Sequence, residues 1–363
     1  MTKKSKVSQA TWTVLLVAMI TVFGVHTSAN AEKTIKLTAI DGYPTKSLWV
    51  KEFINFYIPE INKRLAANGN YKIQWNQAWG GQIVKPKHVF EGLQKGLGDI
   101  GVVTTVFHHD KVPLQAVAYV TPFVTTDPGL VARTVDEMTQ KFPAMKNAWE
   151  SFNQVYLTNM AVFDTYQVFS KKPITKRADF KGLKINAAGT NLRWLQGLGV
   201  AGVGGSLVTF YQNMSTGVVD GCILWPESAV AYKFYEVAPY MLDGQLGSAN
   251  SKAVTANADT WKRLPAEVKQ VLAETAIAYR DHMAKVAIEV GEASSETWRA
   301  KGGKIHPISK GERDAWAKNM PNIAKEWAAS LEKKGLPGRA ALTFYMDTMR
   351  RNNQPIARQW DRE

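Results

Sequence analysis

Few residues of this 363-residue chain have the types and spacings that catalysis or metal binding requires. His108, His109 and Asp110 come nearest to a metal site, but adjacent residues on a strand point to opposite faces and no further His or Cys cluster is nearby. The sequence contains no G-x-S-x-G nucleophile elbow, H-E-x-x-H helix or P-loop. We therefore predict no metal, no cofactor and no enzymatic activity, with an enzyme of unrecognised type as the alternative.

A glycine motif between Gly197 and Gly202 has the literal form G-x-G-x-x-G of a dinucleotide-binding loop. Such a loop must follow a strand and open a helix, so that backbone N–H groups meet the pyrophosphate. Here the motif follows the helix-like run NLRWLQ instead. We interpret these glycines as the end of a helix.

The elements that would carry a functional site alternate between strands and helices. A strand-like run begins at Lys33, and helical spacing of large apolar residues follows from Trp49 to Leu65. Residues 71–79 form a second predicted strand, residues 85–97 a helix, and residues 98–107 a buried strand. This alternation predicts βαβ units and a largely parallel sheet.

A second α/β domain is predicted to begin at Gln154. Residues 155–170 and 181–188 have the pattern of strands, and NLRWLQGLG that of a short helix ending at glycines. A long amphipathic helical stretch follows from Thr260 to about Lys301. Further predicted elements are a strand at 301–309, a helix at 312–335 and a terminal helix beyond Arg339 that frays at its end.

The N-terminus has the three parts of a secretory signal peptide. Lys3, Lys4 and Lys6 form a basic patch, residues 11–25 are apolar, and Ala29-Asn30-Ala31 is a small-residue cleavage site. The apolar run is shorter than the roughly 20 residues of a membrane-spanning helix. We predict cleavage after Ala31 and a protein soluble in the periplasm.

The chain is basic, with a formal net charge of +14. Its Lys and Arg residues are scattered rather than clustered, and an exported chain rarely meets nucleic acid, so we predict no nucleic-acid partner. The charge instead favours encounters with anionic solutes or the membrane face. Because Cys222 is the only cysteine, no intramolecular disulfide is possible.

Several motifs occur in an order that resembles a known family. The segment from Lys181 to Pro226 contains two of these motifs. KGLKINAAG is similar to the family pattern KG-x-K-I-R-x-x-G. TFYQNMSTGVVDGCILWP is similar to the family pattern x-x-Y-x-A-L-x-x-G-V-V-D-G followed by Pro. Upstream lie GGQIVKPKHVFEGLQKGLGDIGV, KVPLQAVAYVTPF and FSKKPITKRADF. Together they resemble the DctP-type extracytoplasmic solute-binding proteins of tripartite ATP-independent periplasmic (TRAP) transporters.

The resemblance implies a two-lobed α/β periplasmic binding protein with mixed sheets, hinge crossings between the lobes and a long C-terminal bracing helix. We expect lobe I to comprise residues 32–155 plus about 243–285, and lobe II residues 156–242 plus about 286–363. Such a protein captures a small solute in the cleft and delivers it to the membrane permease subunits of the transporter. No oligomeric state follows from the sequence.

The resemblance also suggests site residues. Asn186 stands where the family carries an arginine that grips the solute's carboxylate, and an amide offers no charge. Arg193 is the nearest substitute. The resemblance places Phe123, Tyr211 and Trp225 around the cleft. Further candidates for the cleft are Tyr43, Trp79, Gln82, His108, Asp164 and Tyr166.

The family often has a second arginine ahead of its S-x-x-P-I loop, where this chain reads FDTYQVF. The two missing arginines and the added acid at Asp164 argue against a dicarboxylate. We expect a monocarboxylate, with aromatic acids among the candidates, held by Asn186 and other donors. The alternatives are a neutral or zwitterionic solute whose amine meets Asp164 or Glu227, a sensor that presents its ligand to a receptor, and a secreted enzyme.

Overall fold

The computed structural model describes residues 1–2 and 32–363. The predicted signal peptide therefore lies outside the described residues, apart from its first two. In the described part, no helix combines the length and apolar character that crossing a membrane requires.

The described chain alternates strands and helices, as the sequence predicts. The strands are β1 (Lys33–Ile40), β2 (Tyr71–Ala78), β3 (Ile100–Thr104), β4 (Gln154–Met160), β5 (Gln167–Ser170), β6 (Lys184–Ala187), β7 (Ala201–Gly204), β8 (Gly221–Leu224), β9 (Tyr240–Asp243), β10 (Lys252–Asn257) and β11 (Lys304–Pro307). The α-helices are α1 (Leu48–Glu52), α2 (Ile58–Asn68), α3 (Val89–Gln94), α4 (Val117–Val120), α5 (Pro128–Lys141), α6 (Pro143–Glu150), α7 (Leu207–Ser215), α8 (Pro226–Ala231), α9 (Ala258–Arg263), α10 (Ala266–Ala300), α11 (Lys310–Asn319), α12 (Ile323–Glu332) and α13 (Gly338–Arg351).

These strands form two mixed sheets. The first has the order β2-β1-β3-β10-β4, in which β1 pairs in parallel with β2 and β3, while β10 lies antiparallel between β3 and β4. The second has the order β11-β9-β5-β8-β6-β7, with β5 antiparallel to both β8 and β9. The predicted α/β architecture with mixed sheets is confirmed.

The predicted run of residues 155–170 is not one strand. It divides into β4 in the first sheet and β5 in the second, joined by Ala161–Tyr166. The return connection, between β9 and β10, runs beside it: the N–H of Leu246 donates to the Tyr166 carbonyl and the N–H of Tyr166 to the Gly247 carbonyl, both at 3.1 Å. Periodicity could not reveal this division, because apolar residues continue through the run and no glycine or proline separates its two halves.

Helix α10 is the long helix predicted between Thr260 and Lys301, and it braces both sheets. Its 35 residues contact α2, α5 and β4 beside the first sheet and α8 beside the second. Buried residues recur along the helix at intervals of three, four or seven positions, and residues at this spacing lie on one face of a helix. Buried members of this face are Val268, Leu272, Tyr279, Met283 and Ala287.

The predicted helix around Trp49 begins as α1 and continues as α2 after one π-helical turn, Phe53–Tyr57. This turn ends two residues before Pro59. A proline has no N–H and its ring crowds the carbonyl four residues earlier, so a wider turn accommodates it.

The end of the chain does not fray as predicted. After α13 the backbone turns back, and the N–H of Ala357 donates to the Phe123 carbonyl at 3.0 Å. The Trp360 indole is fully buried and donates to the Pro122 carbonyl at 2.8 Å. An amphipathic tail that carries a tryptophan gains free energy by covering apolar surface, which explains its order.

The predicted division into lobes stays a prediction. Strands β1, β2, β3 and β10, assigned to lobe I, lie in the first sheet, and strands β5 to β8 and β11, assigned to lobe II, lie in the second. Strand β4 differs, because the division assigns its residues 156–160 to lobe II whereas β4 pairs in the first sheet. Helix α13, which the division assigns to lobe II, packs against α4 and α5.

Candidate functional site

A small aromatic cavity lies where the two sheets face each other. Its volume is about 30 Å³, which is enough for a water molecule or two but far below the roughly 300 Å³ of an ordinary ligand pocket. A larger hollow, of about 420 Å³, lies on the surface between α6 and Leu336, away from this cavity. The residues that line the cavity are Tyr43, Thr104, Val106, Phe107, Tyr119, Tyr166, Ala188, Leu207, Phe210, Ile223, Leu224, Trp225, Ser251 and Lys252.

The two sides of the cavity touch directly. The indole N–H of Trp194 donates to the Tyr119 carbonyl at 2.7 Å. His109 Nδ1 lies 2.7 Å from Thr190 Oγ1. Tyr119 and His109 come after strand β3 of the first sheet, whereas Trp194 and Thr190 come after strand β6 of the second. These contacts therefore hold the two sides together and make the cavity small.

Lys252 supplies the cationic group that lines this cavity. It opens strand β10, and its side chain is almost completely buried. The ammonium group donates to Thr104 Oγ1 at 3.0 Å and lies 3.9 Å from the centre of the Trp49 ring, in a cation–π arrangement. Burial lowers the pKa of Lys252, an effect that the nearby carboxyl groups of Asp41 and Glu227 oppose.

Asp41 is fixed at the edge of the same indole. Its carboxyl group accepts the Trp49 indole N–H at 2.9 Å and the backbone N–H of Tyr43 at 2.8 Å. Burial raises the pKa of Asp41, while these N–H donors and Lys252 lower it. Trp49 thus carries an ammonium group on its face and a carboxyl group at its edge.

Trp225 forms the opposite wall. Its ring stacks on Phe163 at a centroid distance of 4.5 Å and meets Tyr166 edge-on at 5.6 Å. Its indole N–H donates to Glu227 Oε2 at 3.0 Å, and the Ser228 hydroxyl donates to the same oxygen at 2.9 Å. Burial raises the pKa of Glu227 to about 7. Helix α8 thereby holds the ring in one orientation.

Three of the residues predicted from sequence come together at the cavity: Tyr43, Tyr166 and Trp225. The Tyr166 hydroxyl lies 3.3 Å from that of Tyr119, at the junction of the two sides. That these residues contact a ligand stays a prediction.

The structure does not bring Asn186 or Arg193 to the cavity. Asn186 is buried in β6, where its amide donates to the Val203 carbonyl at 2.9 Å and accepts from Asn213 at 3.0 Å. Arg193 forms an ion pair with Glu326 at 2.5 Å, with both side chains partly exposed. The amide at position 186 therefore ties strand β7 and helix α7 together.

Asp164 lies in a separate polar hollow of about 230 Å³ beside α10, with Asp243, Glu292 and Arg299. Burial raises the pKa of Asp164 to about 6. The remaining predicted residues also lie away from the cavity. Phe123 packs against Trp316, Trp79 packs against Phe53, Tyr211 donates to Glu236, His108 stacks on Phe90, and Gln82 is exposed.

Lys252 is the residue that the sequence interpretation missed. One signal was available: a lysine begins the run KAVTAN, in which every residue of the strand is buried. Lysine is almost never fully buried without a partner, so a lysine within such a strand indicates a special environment.

Glu227 is expected to make the folded protein less stable as the pH rises from about 4.5 to about 7. The unfolded carboxyl ionises near its ordinary pKa of 4.5, whereas the buried one keeps its proton until about 7. Full ionisation therefore costs the folded state about 3 kcal/mol. Relative to wild type, Glu227→Gln should gain about this much free energy of unfolding between pH 4 and pH 8, measured by urea denaturation. If the free energies of unfolding of Glu227→Gln and wild type differed by the same amount at both pH values, the burial of an ionisable group here would be contradicted.

Comparisons with known proteins agree with this architecture. The sequence model of the bacterial extracellular solute-binding proteins, family 7, matches residues 44–331. The C4-dicarboxylate-binding periplasmic protein DctP of Rhodobacter capsulatus is 27% identical over 180 residues, which are 47% of this chain and 53% of that protein. The match thus spans about half the length of this curated relative.

Solved structures share the fold at low sequence identity. A TRAP solute-binding protein of Rhodoferax ferrireducens, in complex with copurified benzoate, has a TM-score of 0.77 at 18% identity, covering 88% of this chain and 98% of that one. One of Bordetella bronchiseptica with bound mandelate has a TM-score of 0.76 at 19% identity, covering 88% and 99%. DctP7 of Bordetella pertussis, which binds pyroglutamic acid, has a TM-score of 0.73 at 19% identity, covering 87% and 99%.

Proposed function

Because the chain belongs to family 7 of the bacterial extracellular solute-binding proteins, we propose that it captures a small organic acid in the periplasm and delivers it to the membrane permease of a TRAP transporter. The observation that carries the proposal is the buried ammonium group of Lys252 in an aromatic cavity between two sheets. Such a cavity pairs a positive charge with apolar walls, which suits a carboxylate on an apolar body.

The proposed acid is a monocarboxylate, and aromatic acids fit best. Lys252 is the one cationic residue among those that line the cavity. A second carboxylate would lose its hydration without gaining a counter-charge, which is costly in a buried site. Aromatic walls favour a flat body that can stack. The relatives of similar fold that bind benzoate and mandelate support this choice.

The proposed mechanism is closure of the two sides around the solute. A cavity of about 30 Å³ cannot admit an organic acid unless the sides separate. Among residues 32–363, two segments without an intervening helix, Ala161–Tyr166 and Gly244–Ser251, cross from one sheet to the other, and helices α9 and α10 make the longer connection from β10 to β11. A solute that touches both sides stabilises the closed form in proportion to its differential affinity for that form. Capture of this kind requires no chemistry on the solute.

A second candidate is a zwitterionic solute, whose amine would meet a carboxyl group. The observation in its favour is that two buried carboxyl groups, Asp41 and Glu227, lie near Lys252 and alter its pKa. Both, however, already accept hydrogen bonds from indole groups. We therefore favour the simple acid.

The proposal is tested by exporting the full chain to the periplasm of a bacterial host, purifying it there and refolding it from guanidinium chloride to remove copurified solute. Thermal unfolding is then followed with benzoate, mandelate, pyroglutamate, succinate and zwitterionic amino acids. A ligand at about 100 times its Kd adds about 2.7 kcal/mol, or a shift of several degrees in the midpoint. Shifts with monocarboxylates alone are expected. A response only to amino acids would favour the second candidate, and no shift with any acid would refute capture of an organic acid.

A further inference from the structure

Lys252 holds a buried amino group that lacks an ion-pair partner. Among residues 32–363 no carboxylate oxygen lies within 4.0 Å of its ammonium nitrogen, and its one hydrogen bond goes to the neutral hydroxyl of Thr104. An ammonium group that is removed from water without an ion-pair partner is costly. The ring faces of Trp49 and Tyr43, at 3.9 and 5.1 Å, offset only part of this cost. A ligand carboxylate would complete the site.

The carboxyl groups nearest to Lys252 are held by other donors. Asp41 uses both oxygens, one for the Tyr43 N–H and one for the Trp49 indole. Glu227 is bonded to Trp225 and Ser228. Burial raises the pKa of both groups, so each has a reduced negative charge near neutral pH. They lower the cost of burying Lys252 without occupying its donors.

A free hydroxyl group lies beside the ammonium group in the chain. Ser251 immediately precedes Lys252 and lines the same cavity, and its buried Oγ has no hydrogen-bond partner within the described chain. Thr104 lies opposite Lys252 on strand β3. One cation and two hydroxyl groups among the lining residues suit the two oxygens of a carboxylate, because hydrogen bonds to a charged group are stronger than neutral ones.

The other end of the cavity has a different character. It is formed by side chains of the second sheet and its helices, including Leu207, Phe210, Ile223 and Leu224, together with the ring of Trp225. None of these side chains is charged. A solute held at Lys252 would therefore place its remaining atoms against apolar and aromatic surface on the opposite side of the cleft.

We propose that Lys252 anchors the solute's carboxylate, in the role that Asn186 cannot fill, and that Ser251 and Thr104 complete its hydrogen bonds. This inference rests on the proposed function and deepens it, because it assigns the carboxylate to the first sheet and the apolar body to the second. The ligand class is a monocarboxylate with an uncharged, preferably aromatic, body. The anchored solute bridges the two sides and so favours closure.

The experiment compares wild type with Lys252→Met, which removes the charge but keeps an unbranched side chain. Lys262→Met is the matched control, because Lys262 is 75% exposed and pairs with Asp259 on α9. The probes are benzoate and mandelate, each paired with its neutral primary amide, and affinities are measured by isothermal titration calorimetry. The amides keep the shape of the acids without the charge.

Wild type is expected to prefer each acid that binds over its amide by about 100-fold. Lys252→Met should lose about 100-fold in affinity for the acid, bind the amide within a few-fold of wild type and show no preference between them. Lys262→Met should behave as wild type. Circular dichroism and thermal unfolding establish that each variant is folded. If Lys252→Met does not fold, Lys252→Gln, whose amide can still donate to Thr104, replaces it with the same expected loss of preference.

Three results would overturn the inference. Unchanged acid affinity in Lys252→Met would show that the anchor lies elsewhere, while the proposed function would stand. Equal loss of acid and amide would show that Lys252 only shapes the cavity. If wild type bound none of the acids, the proposed function would fail, and this inference with it.

Discussion

Replacing Gly189 by alanine is expected to weaken binding of the organic acid at least about tenfold, because the new methyl group holds the two sides of the cleft apart. A Cβ at this position would lie 2.1 Å from the carbonyl oxygen of Val106 and 3.0 Å from its Cγ2. Gly189 follows strand β6 of the second sheet, and Val106 follows β3 of the first. The clash involves backbone rather than a flexible side-chain end, so it is relieved by separating the sides. A smaller closed fraction reduces the apparent affinity in proportion.

The control must separate this clash from backbone strain. Gly189 has a φ of +48°, which alanine adopts at a cost of about 1 kcal/mol. Gly182 has a φ of +82°, but a Cβ there would meet no atom within 4 Å. Gly182→Ala should therefore lose stability and keep its affinity. Small-angle scattering with saturating benzoate or mandelate should show a larger radius of gyration for Gly189→Ala alone, and wild-type affinity in that variant would contradict the closure mechanism.

The second large effect is expected on stability. Asp136→Ala should lower the free energy of unfolding by about 3–5 kcal/mol, since it leaves a buried charge without its main partner. Asp136 lies on α5 and accepts from the Tyr156 hydroxyl at 2.6 Å, the Thr158 hydroxyl at 2.6 Å and the Asn159 amide at 2.9 Å. It also accepts from Arg280 of the bracing helix α10 at 2.7 Å. One carboxylate thus joins α10 to α5 and β4.

The chain offers a matched control for this substitution in Asp281. It pairs with the same Arg280 at 2.9 Å, but its side chain is 50% exposed, compared with 13% for Asp136. Exposed ion pairs contribute about 0–1 kcal/mol. Asp281→Ala should therefore cost less than about 1 kcal/mol when urea unfolding is followed by circular dichroism. Similar losses in both variants would mean that burial does not determine the strength of this network.

The resemblance to a solute-binding family could be recognised from sequence because it rests on short motifs in a shared order. Motifs such as KGLKINAAG and TGVVDG combine turn glycines with the apolar positions of strands, and these local requirements appear directly in the residues. The long helix α10 was equally predictable, since its apolar residues repeat at helical spacing over 35 residues. The assignment to family 7 and the mixed two-sheet fold are confirmed.

The site was less predictable than the fold. The motif position of Asn186 suggested an anchor, yet its amide is bonded to Val203 and Asn213. Three of the predicted aromatic residues, Tyr43, Tyr166 and Trp225, line the same cavity, and their contact with a ligand stays a prediction. Lys252 was not predicted, because among 45 Lys and Arg residues only its position at the start of the buried run KAVTAN sets it apart.

The sequence by itself determined the strands, the helices and the class of protein, because periodicity, glycines and short motifs act over neighbouring residues. Only the tertiary structure decided where the charges lie. Lys252 meets Thr104 across 148 positions of the chain, and the run 155–170 divides between two sheets where two crossing segments pair. Burial, pKa and free donors depend on which distant residues surround a group, and these neighbours exist only once the chain has folded.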